Sequence, residues 1–300
     1  MYYIKKIQID IIKLFLKIKN RKLADRYKSL SLSKLVTNKM KTIKWGVSYS
    51  VFDGIELLEE SVKSIRNSVD YINVVYSNNS WFGEKNDEDI YSRLKILQNK
   101  KLIDEIIFYN VNPLKSHIKN EITKRNLGLK YAKKAKVNYF MTMDVDEFYV
   151  KNEVYQAKRH IIKNNITHSF CGIIWYSPLS TKRYIKPSNC AVQFFSKINR
   201  FSFLTKNKHL ITNVDPTRIL NHYIGAKYYF LNMVEMHHMS LIRKSLLKKM
   251  MSSGSRNYYM KRYQKFSSMS EYVESLFKDT ITGPDIFNLK SIALKFLRDI

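Results

Sequence analysis

The spacing of apolar residues along the chain predicts alternating strands and helices between Lys44 and Phe148. Strands are predicted where apolar residues run together or alternate with polar ones, at 44–51, 71–77, 103–111 and 138–148. Helices are predicted where apolar residues recur every three or four positions, at 55–69, 90–102 and 117–135. Strands and helices that alternate in this way are typical of a mostly parallel sheet with helices on both faces. The sequence therefore predicts an α/β fold.

The rest of the chain is less regular. The elements predicted there are a helix at 152–166, strands at 167–179 and 189–198, and a basic helix at 240–254. A basic amphipathic segment is predicted at 1–41, and a basic helical segment at 256–300. We therefore expect one domain at 42–255, divided into halves at 42–150 and 151–255.

The charge of the chain is strongly unbalanced, with 53 Lys and Arg residues against 25 Asp and Glu, a formal net charge of +28. This excess predicts a polyanionic partner, and nucleic acid, anionic lipid and nucleotide phosphates all fit it. The segment 1–41 combines an apolar stripe with a basic surround, which suits an anionic membrane surface. The alternative is a helix that packs on its own domain.

Cysteine content and hydropathy predict a cellular location. Cys171 and Cys190 form no disulfide framework and no zinc pattern, which favours a reducing cytoplasm. No apolar run reaches the ~18 residues that a membrane span needs. Lysines interrupt the apolar residues of the N-terminus, so no signal peptide is expected. We expect a cytoplasmic protein, peripheral at the inner face of the cytoplasmic membrane.

Three acids follow the fourth predicted strand, namely Asp144, Asp146 and Glu147 in MTMDVDEFY. On an extended chain, alternation places Asp144 and Asp146 on the same side. Adjacent carboxylates near a core are costly unless a cation neutralises them, and Mg²⁺ and Mn²⁺ prefer oxygen ligands. Because ligands of parallel sheets bind at the carboxyl ends of strands, these acids predict a divalent-metal site. An acidic turn without a function is the alternative.

Two other chemistries use similar acids. Phosphatases of the haloacid dehalogenase type carry Asp-x-Asp-x-Thr/Val on their first strand. Here the motif follows the fourth strand, and Phe148 stands where Thr or Val is needed. Metal-dependent exonucleases use Asp-x-Glu with further acids along the chain, and those later acids have no clear match. Both chemistries stay open as alternatives.

The segment KRNLGLKYAKKAKVNYFMTMDVDEFY resembles bacterial glycosyltransferases with the GT-A fold, a group related to glycosyltransferase family 2. The resemblance covers roughly residues 42–255 and also rests on VSYSVFDGIELLEESVKSI and MHHMSLIRKSLLKKM. Members place a basic-Asn-x-Gly helix before the Asp-x-Asp strand, which Lys124, Arg125, Asn126 and Gly128 match. The resemblance implies a Rossmann-like GT-A sheet with a nucleotide-sugar half before residue 150 and an acceptor half after it.

The resemblance also implies roles for individual residues. Asp144 is expected to contact the donor's ribose or the metal, Asp146 to ligate the metal, and Glu147 either to support them or to act as a further ligand. Donor binding is implied for Ser48, Asp53, Lys124, Arg125 and Asp144. Independently of the resemblance, we expect Arg218 and Arg243 to bind the donor by adding positive charge at the leaving group. A later His-x-Ser segment supplies a further metal ligand, for which His238 fits better than His237. Zinc is not expected, because no other His or Cys is spaced to close a tetrahedral site.

The general base has two candidates. An inverting transfer needs a carboxylate that takes the proton of the acceptor hydroxyl. Asp215, in VDPTR, and Glu235, in VEMHH, lie downstream of the acidic motif, where such bases are found. The plain Glu-Asp pair of the family is missing at this point, so inverting and retaining mechanisms both stay open.

The residues and the resemblance together predict a glycosyltransferase. It would move a sugar from a nucleotide-diphosphate donor, foremost a UDP-sugar, to a glycan or lipid-linked glycan of the bacterial surface, with Mn²⁺ or Mg²⁺ as cofactor. A basic nucleic-acid-binding protein is the main rival, but no nucleic-acid motif occurs and the cations are spread along the chain. We therefore expect no nucleic-acid partner. A catalytically inactive scaffold is a further rival, against which the intact acidic motif argues.

Overall fold

The computed structural model describes ten stretches of the 300-residue chain: 36–86, 89–177, 180–185, 190–206, 213–215, 217–221, 225–242, 246–253, 256–276 and 281–282. The chain divides into two units, Met1–Thr42 and Ile43–Ile300. Of the first unit, residues 36–42 are described, and they form the helix α1. The rest of the predicted basic N-terminal segment lies outside the described residues.

The second unit follows the predicted series of strands and helices. Its described elements are β1 (Trp45–Val51), α2 (Ile55–Arg66), β2 (Tyr71–Tyr76), α3 (Ile90–Asn99), β3 (Glu105–Phe108), α4 (His117–Lys134), β4 (Tyr139–Asp144), β5 (Glu147–Phe148), α5 (Lys151–Lys163), β6 (His168–Ser177), β7 (Ser180–Ile185), β8 (Cys190–Lys197), β9 (Asn213–Val214), β10 (Tyr228–His238), α6 (Leu246–Ser252), α7 (Arg256–Tyr263), α8 (Met269–Leu276) and β11 (Ile281–Thr282). Among the described residues, no helix has the length and apolar composition that a membrane crossing needs.

The described strands form one mixed sheet. Its main order is β11-β7-β6-β8-β4-β1-β2-β3, with β10 beside β5 and β6, and β9 beside β8. The four strands β3, β2, β1 and β4 are parallel, so their carboxyl ends lie at one edge. Strand β8 runs antiparallel to β4 and continues the sheet into the second half of the chain. The predicted α/β class, with a parallel central sheet and flanking helices, is confirmed.

Helix α4 packs closely on one face of the parallel strands because small residues meet there. A Cβ added to Gly128 of α4 would lie 1.9 Å from Ser48 Oγ in β1. The side chain of Asn73 in β2 donates to the carbonyl of Gly128 at 2.9 Å. This contact fixes the height of α4 along the strands, and with it the residues one turn earlier, near the carboxyl ends of β1 and β2.

Helices α2 and α5 cover the opposite face. Tyr49 Oη of β1 lies 3.0 Å from Ser61 Oγ of α2. Lys158 Nζ of α5 lies 4.7 Å from the centre of the Trp45 ring. With helices on both faces, the central strands are buried on both sides, which explains why their sequences are nearly continuous in apolar residues.

The C-terminal segment differs in part from the helical prediction. Helices α7 and α8 are present, but Ile281–Thr282 forms β11 and pairs with Tyr184 and Arg183 of β7. The residues after 282 lie outside the described part of the chain.

Candidate active site

A cleft of about 470 Å³ opens at the carboxyl ends of the parallel strands. Its walls come from the ends of β1, β4 and β10, the first half of α4, residues 215, 217 and 218, helix α6 with Ser253, and Tyr259 of α7. Seven of the predicted site residues line it: Asp53, Lys124, Asp144, Asp146, Asp215, Arg218 and His238. Clefts of this size at this edge of an α/β sheet are typical ligand sites.

Lys124 joins the carboxyl ends of two strands beneath the cleft. Its ammonium group donates to the carbonyl of Val51 at 2.7 Å and to Ser77 Oγ at 3.1 Å. The same nitrogen lies 5.2 Å from the centre of the Trp81 ring. Burial lowers the pKa of Lys124 to about 7, although the carboxylate of Asp144 acts in the opposite direction. Lys124 thus places a cationic group at the floor of the cleft and orders the aromatic residue beside it.

The neighbouring residues of α4 connect the helix to the rest of the site. Arg125 donates to Glu121, one turn earlier, at 2.8 Å and to both carboxylate oxygens of Asp144 at 3.1 and 3.2 Å. Asn126 exchanges two hydrogen bonds of 2.8 Å with the backbone of Leu204. The residues of the basic-Asn-x-Gly pattern therefore connect α4 to the acidic motif, through Arg125, and to the segment at Leu204, through Asn126.

The acidic motif is a turn between two strands. Strand β4 ends at Asp144, the chain turns at Val145 and Asp146, and β5 begins at Glu147. The predicted extended-chain alternation does not describe this geometry, because Val145 lines the cleft together with both aspartates. The backbone N–H of Asp144 donates to Glu147 Oε2 at 3.1 Å, which closes the turn.

Pairing of β5 with β10 brings His238 to the acidic motif. His238 lies opposite Glu147 in this antiparallel pair, and the N–H of Met239 donates to the carbonyl of Asp146 at 2.7 Å. His238 Nε2 is then 3.6 Å from Asp146 Oδ1. His237 is buried on the other side of the strand, where its Nδ1 lies 2.8 Å from Tyr176 Oη. The geometry thus separates the two adjacent histidines.

Asp146, Glu147 and His238 form a group that fits a divalent cation. One ligand atom from each lies within 4.8 Å of the others. Two carboxylates and one imidazole suit Mn²⁺ or Mg²⁺, and such sites leave positions for substrate oxygens. Lys249 Nζ of α6 lies 3.4 Å from Asp146 Oδ2, so a second positive charge is close to the group.

Arg218 forms ion pairs with three carboxylates from separate segments. Its Nη2 lies 2.6 Å from Asp144 Oδ2, its Nη1 2.5 Å from Glu147 Oε1, and its Nε 2.8 Å from Asp215 Oδ2. The guanidinium side chain is 6% exposed. Burial removes water from these charges, which costs free energy. The fixed geometry and the mutual pairing of the charged groups offset that cost.

The pKa values of the three acids differ according to their surroundings. Burial alone would raise the pKa of Asp144, but Arg125 and Arg218 hold it below its usual value. Against the same effect of burial, Arg218 and Arg125 lower the pKa of Asp215 to about 2. Burial raises the pKa of Glu147 to about 7, because it outweighs the attraction of Arg218. Two firmly ionised acids therefore flank one acid that binds a proton near neutral pH.

The other predicted residues lie elsewhere. Ser48 is buried against Gly128 and does not line the cleft, whereas Ser50 of the same strand does. Arg125 is behind Asp144 and reaches the cleft only through that carboxylate. Glu235 is outside the cleft, where its backbone N–H donates to Glu153 at 3.3 Å. Arg243 lies outside the described residues.

Several cleft residues were missed by sequence reasoning. They are Glu121, Trp81, His117, Thr217, Lys249 and Tyr259. Glu121 had a local signal, since it stands four residues before Arg125 on a helix and can pair with it. Lys249 had none, because it is one of two adjacent lysines in a basic helix and only the packing of α6 selects it.

Comparisons with known proteins give weak similarities. No protein-family model matches the chain, and no curated protein matches it significantly. The structure of S. aureus TarS 1–349 is 11% identical, with a TM-score of 0.41 over 86% of this chain and 71% of that one. GalNAc-T7 with UDP, GalNAc and Mn²⁺ is 12% identical, with a TM-score of 0.40 over 85% of this chain and 57% of that one.

A third match is TarS 1–349 in complex with UDP-GlcNAc, which is 13% identical with a TM-score of 0.34 over 45% of this chain. The chain spans 35% of that structure and 22% of a longer TarS structure. Since all these TM-scores are below 0.5, the likenesses do not by themselves establish a shared function.

Proposed function

We propose that the chain is a glycosyltransferase that moves a sugar from a nucleotide-diphosphate donor to a glycan. One observation carries this proposal: ligand atoms of Asp146, Glu147 and His238 lie within 4.8 Å of one another at the carboxyl end of β4, where Asp146 and His238 line the cleft and Glu147 is buried behind them. A group of this composition binds a hard divalent cation, and the cleft has room for a nucleotide beside it.

The donor's diphosphate is proposed to lie between the metal group and α6. When bound, Mn²⁺ or Mg²⁺ supplies positive charge to the diphosphate as the bond from sugar to phosphate breaks. Lys249, 3.4 Å from Asp146, adds a cation on the same side. Residues Asp53 and Trp81 line the β1 side of the cleft, where we place the nucleoside. UDP is the first nucleotide to test.

Asp144 is proposed to bind the ribose of the donor. Its carboxylate is fixed by two guanidinium groups, yet 31% of its side chain is exposed. A carboxylate that is ionised and held in place accepts hydrogen bonds from hydroxyl groups without reorganising. Arg125 and Arg218 therefore act through Asp144, as residues that position it.

Asp215 is the proposed general base, because it lines the cleft and Glu235 does not. Its ion pair with Arg218 keeps it ionised at neutral pH, and the low pKa of about 2 makes it a weak base. The acceptor is proposed to be a glycan or lipid-linked glycan of the bacterial surface. The proposed site of action is the cytoplasmic face of the inner membrane, in keeping with the basic composition of the chain.

A screen of nucleotide sugars tests this function. Binding and slow hydrolysis of each donor are measured with Mn²⁺, with Mg²⁺ and with a chelator. We expect one nucleotide to be selected, with the response lost in the chelator. Release of phosphate from simple phosphomonoesters, or cleavage of nucleic acid, with no response to nucleotide sugars would favour the phosphatase or nuclease alternative. Binding of DNA with a steep salt dependence and no nucleotide response would favour the nucleic-acid rival.

A further inference from the structure

A second surface with distinct chemistry lies beside the second half of α4, whereas the first half lines the cleft. Phe201 and Phe203 follow β8, and their side chains are 68% and 51% exposed. The ammonium group of Lys133, in the last turn of α4, donates to the carbonyl of Arg200 at 3.2 Å. Lys124, which lines the cleft, precedes Lys133 by nine residues, so the two are separated by about 14 Å along the helix.

The exposed rings are held out by an ordered loop. The side chain of Asn199 accepts from the N–H of Phe201 at 2.8 Å, and that of Asn221 accepts from the N–H of Phe203 at 2.8 Å. Ser202 and Leu204, which alternate with the two phenylalanines, are buried. The backbone is thus fixed by its polar contacts and by Leu204, while two large apolar side chains face water.

The surroundings of these rings are basic. Exposed or half-buried cations come from the end of α4 and the end of β8: Lys133, Lys134, Lys136, Lys197 and Arg200. Strand pairing of Tyr139 with Lys197 brings the two sequence segments to the same edge of the sheet. No Asp or Glu occurs in residues 122–143 or 154–214, which supply this surface.

Acids at the same end of the sheet belong to its β2–β3 side and are engaged there. Asp70 accepts from the N–H of Trp45, Asp104 pairs with Arg66, and Glu105 accepts from Tyr71 Oη. The positive charge around Phe201 and Phe203 is therefore not paired with neighbouring carboxylates in the described part of the chain.

We propose that this surface, formed by Phe201, Phe203 and the five cations, docks on an anionic lipid bilayer. Exposed apolar rings that insert at the headgroup level, ringed by Lys and Arg, are the chemistry of peripheral membrane binding. A stacked nucleic-acid base fits less well, because the guanidinium of Arg200 lies 4.5 Å from the centre of the Phe201 ring and covers one face. The inference goes beyond the proposed function and does not depend on it.

Vesicle flotation with the full chain tests the proposal. Vesicles of neutral lipid and of neutral lipid with anionic phospholipid are compared at low and at physiological salt. We expect binding to the anionic vesicles and a loss of at least about tenfold for the double variant Phe201→Ser/Phe203→Ser. A similar loss is expected for Lys134→Glu/Arg200→Glu, since each basic group near an anionic surface contributes about 1 kcal/mol.

Matched controls separate the surface from overall charge and hydrophobicity. Leu114→Ser removes a side chain that is 94% exposed, and it precedes α4 at the cleft end. Lys95→Glu/Lys101→Glu makes the same change in net charge at exposed positions around α3. Both controls should float like the wild type, and all variants should keep wild-type binding of nucleotide sugars in solution.

A fluorescent label gives a second measurement, which reports contact between position 201 and the lipid directly and does not depend on a variant that binds less. An environment-sensitive dye is placed on Phe201→Cys in a Cys190→Ser background, and emission should shift to the blue when anionic vesicles are added. Wild-type flotation of both surface variants, or a label that does not respond to vesicles, would overturn the proposal. So would a blue-shifted label before lipid is added, which would mean that another segment of the chain covers the surface. Loss of RNA binding without loss of flotation would assign the surface to nucleic acid instead.

Discussion

At the scale of single residues, Arg218 connects the chemistry of the site. It pairs with Asp144, Glu147 and Asp215, which belong to the end of β4, the start of β5 and a separate loop. Arg218 and Glu147 are buried, Asp144 and Asp215 are partly exposed, and a buried charge without a partner is costly. The stability of the cleft floor therefore depends on this one guanidinium group.

Replacing Arg218 by Ala should lower the free energy of unfolding by about 3–5 kcal/mol, because three carboxylates lose their common partner. Arg218→Lys should recover only part of this, since an ammonium group lacks the planar fork that reaches several carboxylates. Urea denaturation measures both, with Arg93→Ala on the exposed side of α3 as the control. A value for Arg218→Ala within about 0.5 kcal/mol of the wild type would contradict the role of Arg218.

The lowered pKa of Asp215 makes the free energy of unfolding depend on pH. Its pKa is lowered to about 2 in the folded chain, below its value of about 3.9 in an unfolded one. A depressed pKa contributes stability above the unfolded value, and the contribution is lost as the pH falls through the folded one. The difference in unfolding free energy between wild type and Asp215→Asn should therefore shrink between about pH 4 and pH 2. A difference that stays constant over that range would contradict the ion pair.

Some residues of the site could be predicted from the sequence, and others could not. Asp144, Asp146 and His238 were identifiable, because short motifs carry them and motifs follow strand ends. Arg218 was predicted as a donor ligand, yet its three donor directions are occupied by carboxylates that meet only in the folded chain. Glu147 was predicted to be a supporting or a ligand carboxylate, and only the pairing of β5 with β10 places it beside His238.

At the scale of elements, the close packing of α4 on β1 determines where Lys124 and Arg125 of α4 lie relative to the cleft. Ala at position 128 would place its Cβ 1.9 Å from Ser48 Oγ and 2.8 Å from Ser48 Cβ. The helix propensity of Ala, worth up to about 1 kcal/mol over Gly, cannot offset a clash of this size.

Gly128→Ala should therefore lower the free energy of unfolding by at least about 1–3 kcal/mol and shift α4 relative to β1. Removing the opposing side chain in the double variant Gly128→Ala/Ser48→Gly should restore part of that loss. Gly172→Ala is the control, because its added Cβ would meet nothing closer than 3.8 Å. Equal stability of Gly128→Ala and Gly172→Ala in thermal or urea unfolding would show that the contact is not tight.

Elements differ in how far the sequence determines them. The strands β1 and β2 were predicted close to their observed bounds, since strands buried on both faces have nearly continuous apolar sequences. The fourth strand was predicted to run to residue 148, but β4 ends at Asp144, where the chain turns before β5. The second half was predicted with less detail, because β6 pairs antiparallel with both β7 and β8 and parallel with β10. Such pairings join residues far apart in sequence, and no local sequence pattern predicts them.

At the scale of the whole molecule, the acids are distributed differently from the cations. The chain has a net charge of +28, yet six of its acids meet at the carboxyl end of the sheet: Asp53, Glu121, Asp144, Asp146, Glu147 and Asp215. Ion pairs with these acids are made there by Arg125, Arg218 and Lys249. The composition predicted a polyanionic partner. The folded chain adds the group Asp146, Glu147 and His238, which suits the divalent cation that a nucleotide diphosphate binds.

Binding of Mn²⁺ is the most direct test of the central claim that Asp146, Glu147 and His238 hold a divalent metal for a nucleotide-sugar donor. Calorimetric titration of Mn²⁺ is carried out with and without UDP on the wild type, on Asp146→Asn and on the control Glu60→Gln, an exposed acid of α2. We predict one Mn²⁺ per chain, tighter with UDP present, with affinity for Mn²⁺ reduced at least about 100-fold in Asp146→Asn. Melting temperature should change little and Glu60→Gln should bind as the wild type does. Equal Mn²⁺ affinity in Asp146→Asn and the wild type, or no effect of Mn²⁺ on UDP binding, would contradict the account.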